Sequence, residues 1–178
     1  MNEDDLVIDP WGSAQSTDYD RIISQFGLAS MEGVSVPSPS KLHRRGIVFA
    51  HRDVDQVLEA QRTGSPFGVL TGLMPSGQMH LGHSMVVEQV KWFQQHGGDV
   101  TIAVADLESQ ATRGISLEKG RKVALEEYVA HYAALGLEPD KTEVYFQSTR
   151  PAVQRLGFQL GKRTNLSEFE AIYGFGGC

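Results

Sequence analysis

The sequence FGVLTGLMPSGQMHLGH, residues 67–83, decides the fold. Its first five residues, 67–71, are an apolar run of the length of a buried strand. A loop rich in glycine, proline and serine follows at 72–77, and a helical pattern begins near His80 or Leu81. A strand that passes through a glycine-rich turn into a helix is typical of α/β sheets.

Downstream, the same alternation continues. Apolar runs at 100–105 and 143–146 predict two more strands. Helical patterns cover the segment up to His96 and the segment that Ser116 begins as N-cap, and the tail 151–171 also has a helical pattern. The alternation predicts an α/β fold with a parallel, doubly wound βαβαβ sheet. Ligands bind outside the carboxyl ends of such strands, so we expect the chemistry near 71–83 and 106–110.

The N-terminal part has a different composition. Residues 1–40 are mixed and polar, and Pro37-Ser38-Pro39-Ser40 is a stiff connector, so we predict an extension over 1–40 and the main domain over 41–178. The run 46–51 predicts a short strand. We expect Asp53 to cap a helix that continues through Ala60.

Composition excludes several classes of protein. The 178 residues are 40% apolar and 21% charged, which supports a packed core and argues against wholesale disorder. A net charge of −6 disfavours a dedicated DNA-binding module. The single cysteine, Cys178, excludes a disulfide within one chain. We find no signal-peptide pattern and no membrane-length apolar run, and so expect a cytoplasmic protein without membrane contact.

The loop after the first strand has the chemistry of a phosphate site without a known phosphate-loop pattern. It contains neither G-x-G-x-x-G nor a P-loop lysine. His80 and His83 stand at i and i+3, where two imidazoles could donate hydrogen bonds to phosphoryl oxygens, and Gly82 leaves room for a flat ring. The alternatives are ordinary polar residues at a helix start, or a metal pair, although no third ligand is near in sequence. We therefore predict an ATP site and no metal ligands.

The string P-S-G-x-x-H-x-G-H at 75–83 resembles the ATP-binding signature of class I aminoacyl-tRNA synthetases, most closely the tyrosyl and tryptophanyl subgroup. Segments 44–58 and 172–176 resemble archaeal and eukaryotic tryptophanyl enzymes. Segment 104–108 is similar to archaeal tyrosyl enzymes too. The likeness extends from Arg44 to the end of the chain.

The resemblance implies the first half of a class I Rossmann-like fold and a set of site residues. His80 and His83 would be catalytic, stabilising charge on the ATP phosphates. The implied ATP-binding residues are Gly72, Pro75, Ser76, Gly77, His80, Gly82 and His83. The implied amino-acid-binding residues are Leu70, Thr71, Ala103 and Glu108. Two of these depart from the family, which usually has tyrosine at the position of Leu70 and, in eukaryotic-type tryptophanyl enzymes, glutamine at that of Ala103.

The implied function is ATP-dependent ligation of tryptophan to its tRNA through an aminoacyl-adenylate, a step of protein biosynthesis. ATP, Mg²⁺, tryptophan and tRNA would be the ligands, and a full-length enzyme of this subgroup would be a homodimer. Tyrosine–tRNA ligation and a non-catalytic nucleotide-binding module are the alternatives. A general nucleotidyltransferase would not explain the likeness at 44–53.

The family's second signature, a lysine loop, does not occur in the sequence. We therefore expect the 178 residues to be an N-terminal fragment, without the second half of the nucleotide fold and without the anticodon-binding domain. Such a chain is expected to form no aminoacyl-adenylate alone.

Overall fold

The structure, a computed structural model, describes residues 19–165 and 167. The first elements form a small unit before the main sheet. They are α1 (Tyr19–Gln25), β1 (Ala29–Ser30), α2 (Lys41–Arg44), β2 (Ala50–His51) and α3 (Val54–Thr63). Strands β1 and β2 pair antiparallel, with Ala29 opposite His51. This pairing joins residues on either side of position 40, where the sequence predicts a boundary.

Two predictions for this region need correction. The strand expected over 46–51 is reduced to Ala50–His51, because that segment pairs with two residues of β1 and not with the main sheet. Helix α3 is confirmed, but Asp53 does not cap it with its side chain. Asp53 has a left-handed backbone with φ of 55°, and His51 Nδ1 accepts the Val54 N–H at 3.3 Å instead.

The main sheet follows the predicted alternation. Its elements are β3 (Phe67–Leu73), α4 (Leu81–Gln95), β4 (Gly98–Val104), α5 (Asp106–Arg113), α6 (Leu117–Val123), α7 (Ala130–Ala134), β5 (Thr142–Phe146) and α8 (Pro151–Gly161). The strands are parallel in the order β3-β4-β5, so the predicted α/β class and parallel sheet are confirmed. The carboxyl ends of all three strands therefore lie at one edge.

Helix α4 is fixed to the sheet by apolar and polar contacts. Val87 and Val90 are buried in the core with Ile102 of β4. Gln94 is 1% exposed, its amide nitrogen donates to Thr142 Oγ1 at 2.8 Å, and its amide oxygen accepts the Glu138 N–H at 2.8 Å. A buried amide that satisfies both its donor and its acceptor fixes the position of the helix along the sheet.

The helix predicted from Ser116 is confirmed, with the Ser116 side chain accepting the Lys119 N–H. Between α6 and α7 the chain continues without a break through a π-helical segment, Ala124–Val129. Such segments are rare and are frequent at functional sites. The segment carries the buried side chain of Tyr128.

The tail helix is confirmed over Pro151–Gly161, but the prediction is wrong for 162–165, which form a turn and irregular chain after the helix ends. Of the remaining segment 166–171, the structure describes only residue 167. Segment 172–176, which carries part of the resemblance, and Cys178 also lie outside them. Across 19–165 and 167, no helix is long and apolar enough to cross a membrane.

Gly98 offers a direct test of the packing between β3 and α4. A Cβ there would lie 2.7 Å from Val69 Cγ2 and 3.1 Å from the Phe93 carbonyl oxygen. We expect Gly98→Ala to lower the free energy of unfolding by about 1–3 kcal/mol, the usual cost of overpacking. Gly68→Ala is the matched control, because its Cβ would have no neighbour closer than 4.0 Å. Urea denaturation of both variants measures the difference, and equal stabilities would contradict this packing.

Candidate functional site

The candidate site lies where β3 and β4 end side by side. Leu73 is opposite Val104, and the Ala105 N–H donates to the Leu73 carbonyl at 2.7 Å. From this point the chain runs through the loop 74–80 into α4. The loop and the start of α4 therefore occupy the edge of the sheet at which α/β proteins bind ligands.

His80 and His83 form a reciprocal cap at the start of α4. His80 Nδ1 accepts the Gly82 N–H, and His83 Nδ1 accepts the His80 N–H, both at 3.2 Å. The two rings lie 3.9 Å apart between centroids. Because Nδ1 is the acceptor in each neutral ring, the proton belongs on Nε2. Both imidazoles therefore retain an Nε2–H donor for another group.

The charge state of His83 follows from its surroundings. Burial, followed by the neighbouring His80, lowers the pKa of His83 below its ordinary value of 6.5. His83 is therefore neutral at pH 7 and keeps the tautomer that its cap requires.

The glycine at position 82 also has a steric role beside the His80 ring, which the sequence alone does not show. A Cβ at this position would lie 3.0 Å from His80 Cε1 and 3.1 Å from His80 Nδ1. Contacts this short would require the His80 ring to shift by a few tenths of an ångström. The absence of a side chain at Gly82 therefore favours the observed position of the His80 ring, and it also leaves room for the predicted adenine contact.

Tyr128 holds the loop and His83 together, and the sequence analysis did not identify it as a site residue. Its side chain is 1% exposed, and its ring meets the His83 ring edge to face at 5.5 Å and 88°. Its hydroxyl faces the Ser76 side chain and the backbone of Ser76 and Gly77, and burial is the main cause that raises its pKa. The sequence pattern showed Tyr128 as one more apolar residue of a helix.

The other predicted ATP-binding residues occupy different positions in and around the loop. Pro75 is fully buried, and a Cβ on Gly120 of α6 would lie 3.5 Å from its ring, so Pro75 anchors the loop to that helix. Ser76 and Gly77 are exposed beside it. Gly72 lies on β3 opposite Ala103. The ATP-contacting role of these residues stays a prediction.

The predicted amino-acid set does not share one face of the sheet. Leu70 and Ala103 alternate with the buried residues and lie on the same open face, where Leu70 is 73% exposed. Thr71 has the opposite parity in β3 and so faces the core side. Glu108 is half-buried in the first turn of α5. On the open face, Leu70 lies opposite Thr101 and Ala103 lies opposite Gly72, so apolar, small and hydroxyl groups share that face.

Asp106 is a structural carboxylate. It is 2% exposed, and its Oδ1 accepts the N–H groups of Leu107 and Ser148, both at 3.0 Å. The Ser148 hydroxyl donates to Oδ2. Asp106 is therefore a buried, fully hydrogen-bonded group and not a solvated carboxylate at the end of β4. The carboxylate instead joins the carboxyl ends of β4 and β5.

The fold agrees with comparisons to known proteins. The chain matches the family described as "tRNA synthetases class I (W and Y)" over residues 62–177, and it belongs to that family. It is 45% identical over 175 residues to a tryptophan–tRNA ligase of Methanosarcina acetivorans, covering 97% of this chain and 40% of the relative. A Thermoplasma acidophilum tryptophan–tRNA ligase is 48% identical over 169 residues, covering 95% of this chain and 38% of the relative.

A solved structure extends the agreement to three dimensions. The tryptophanyl-tRNA synthetase of Aeropyrum pernix is similar with a TM-score of 0.81 and 43% identity, covering 94% of this chain and 48% of that one. The chain thus spans less than half the length of these three relatives. The resemblance inferred from 75–83 is confirmed at the level of the family.

The lowered pKa of His83 predicts its titration. NMR should give a pKa for His83 below 6.5. His80→Asn should raise that pKa without restoring 6.5, because burial is the larger cause and remains. As the pH falls, His83 in the unfolded chain takes up a proton near pH 6.5, whereas the folded side chain does so only at lower pH. The unfolded state then binds more protons than the folded state, so the contribution of His83 to the free energy of unfolding falls as the pH decreases below 6.5. A pKa at or above 6.5 would contradict the described burial.

Proposed function

We propose that this chain supplies the histidine-bearing part of an ATP site in a tryptophan–tRNA ligase. The reciprocally capped pair of His80 and His83, each with a free Nε2–H donor, is the observation that carries the proposal. It stands at the N-terminus of a fifteen-residue helix, where backbone N–H groups and the helix dipole favour a phosphate. The reaction would join ATP and tryptophan as an adenylate and then transfer the acyl group to tRNA.

The chemistry of the histidine pair suits binding of a phosphate group better than binding of a metal ion or transfer of a proton. In both rings Nδ1 accepts a backbone N–H, which leaves one donor and no free lone pair on each neutral imidazole. Donors held in place before reaction stabilise charge as it develops on phosphoryl oxygens. Mg²⁺ would neutralise phosphate charge when bound with ATP, and no ligand for it is assigned among these residues.

Tryptophan is the amino acid we propose, in preference to tyrosine. The two relatives compared above are both named tryptophan–tRNA ligase. On the open sheet face, Leu70 and Ala103 offer apolar surface that suits an indole ring.

The wider assignments follow from the same proposal. The ATP-binding set comprises Gly72, Pro75, Ser76, Gly77, His80, Gly82 and His83. The proposed amino-acid-binding residues are Leu70 and Ala103 on the open face and Glu108 at the start of α5, and Thr71 is proposed from the opposite face of β3. Partners would be tRNA and a second copy of the full-length protein, in the cytoplasm.

Two substitutions at His80 separate its ligand role from its capping role. His80→Asn keeps a good N-cap acceptor but removes the Nε2 donor, whereas His80→Ala removes both. We expect both variants to bind ATP more weakly by about tenfold, the value of one hydrogen bond to a charged group of about 1.5 kcal/mol. Titration calorimetry with ATP and Mg²⁺ on the 178-residue chain measures the affinities.

Stability provides the control for this pair. His80→Ala should lose about 1 kcal/mol of unfolding free energy with the cap, and His80→Asn much less. If His80→Asn binds ATP as tightly as the unsubstituted chain, the imidazole has no phosphate role and the proposal fails.

A further inference from the structure

A second pocket lies on a different face of α4 from the histidine pair. It is a cavity of about 620 Å³ between the connector before α2, the middle of α4 and the end of α7. The α4 residues that line it are Ser84, Glu88, Lys91, Trp92, Gln95 and, just after the helix, His96. At 100° per residue, these positions form a stripe separate from the core-facing Val87, Val90 and Gln94.

The pocket is basic in an acidic protein. Lys41, Arg44 and Lys91 line it, and Glu88 is the single carboxylate among its described lining residues. The resulting formal excess is two positive charges, whereas the whole chain has a net charge of −6. A local excess of this kind attracts anions although the protein as a whole repels them.

Contacts inside the pocket leave donors available. Lys91 Nζ donates to the Leu135 carbonyl at 2.9 Å, which uses one of its three protons. Arg44 Nη1 donates to the Pro39 carbonyl at 2.5 Å, which uses one of its five. Lys41 is paired with Glu88 at 3.0 Å; the Lys41 side chain is exposed and the Glu88 side chain is half-buried. Lys91 and Arg44 are therefore the cations best able to bind an added anion.

The wall that carries Lys41 and Arg44 is fixed in place by Trp92. The Trp92 indole N–H donates to the Ser38 carbonyl at 2.9 Å, and Ser38 has a left-handed backbone with φ of 45°. Such a backbone in a serine is uncommon and is held by its surroundings. The cations are thus presented by a segment attached to α4 and not by a free tail.

We propose that this basic pocket binds a phosphate group, either of a free phosphate compound or of a nucleic-acid backbone. Two charges in excess, bidentate donors on Arg44 and a cavity larger than one phosphate fit this chemistry. The negative charge of Glu88 repels a bound anion and so lowers its affinity for the pocket. The pocket is distinct from the ATP site, so its failure would leave the proposed function untouched.

Trp92 reports directly on this pocket. In a Trp11→Phe background it is the single indole of the chain, and its emission should change saturably with inorganic pyrophosphate. Arg44→Gln should weaken the affinity about fivefold, and Glu88→Gln should strengthen it about fivefold, as one charge at contact distance in water predicts. Arg62→Gln, on exposed α3, is the matched control and should change nothing.

The opposite changes in affinity expected for Arg44→Gln and Glu88→Gln distinguish a ligand site from a structural role. Loss of packing would weaken binding in both variants, and circular dichroism checks that each is folded. A second titration with oligouridylate identifies the source: a tighter, salt-dependent response than to pyrophosphate assigns the pocket to a nucleic-acid backbone, and an equal or weaker one to a free phosphate. No saturable change with either probe, or changes of the same sign in both variants, would overturn the proposal.

Discussion

The in-register pairing of β3 with β4 is the constraint on which the site depends. Seven consecutive residue pairs, from Phe67 opposite Gly98 to Leu73 opposite Val104, bring the two carboxyl ends to one edge. The loop after β3 must then turn beside Asp106, whose buried carboxylate joins β4 to the turn after β5. With the edge fixed, α4 has one way to return across the sheet, and its first turn lies at the ligand edge.

The histidine pair is a product of that geometry and of its support. Each ring caps the helix through Nδ1, and Tyr128 packs against His83 while its hydroxyl faces the loop at Ser76. The same contacts fix the tautomer and lower the pKa of His83, so structure and protonation state have a common cause. The segment 75–83 thus contains a helix N-terminus that is capped by its own two histidines. The Nε2–H groups of His80 and His83 are not used in this capping and remain available as donors.

The sequence predicts a structural feature well where the residues that form it are close together in the chain. Residues 67–83 predict strand, loop and helix because the signals are adjacent in the chain, and all three are found. Tyr128 could not be identified, since its partner Ser76 is 52 residues away and its spacing is that of core residues. The burial of Asp106 and the shortening of the 46–51 strand likewise depend on partners distant in sequence, Ser148 and β1. Thr71 shows that residues adjacent in a strand lie on opposite faces, which a linear list of site residues conceals.

Amino-acid-dependent ATP–pyrophosphate exchange tests the central claim most directly. Residues 62–165 can replace the matching segment of the full-length Aeropyrum pernix enzyme, to which this chain is 43% identical. The chimera should exchange with tryptophan far faster than with tyrosine, and His80→Asn within it should reduce the tryptophan rate. A folded chimera that exchanges with tyrosine in preference, or whose rate does not respond to His80→Asn, would contradict a tryptophan-activating ATP site built on this histidine pair.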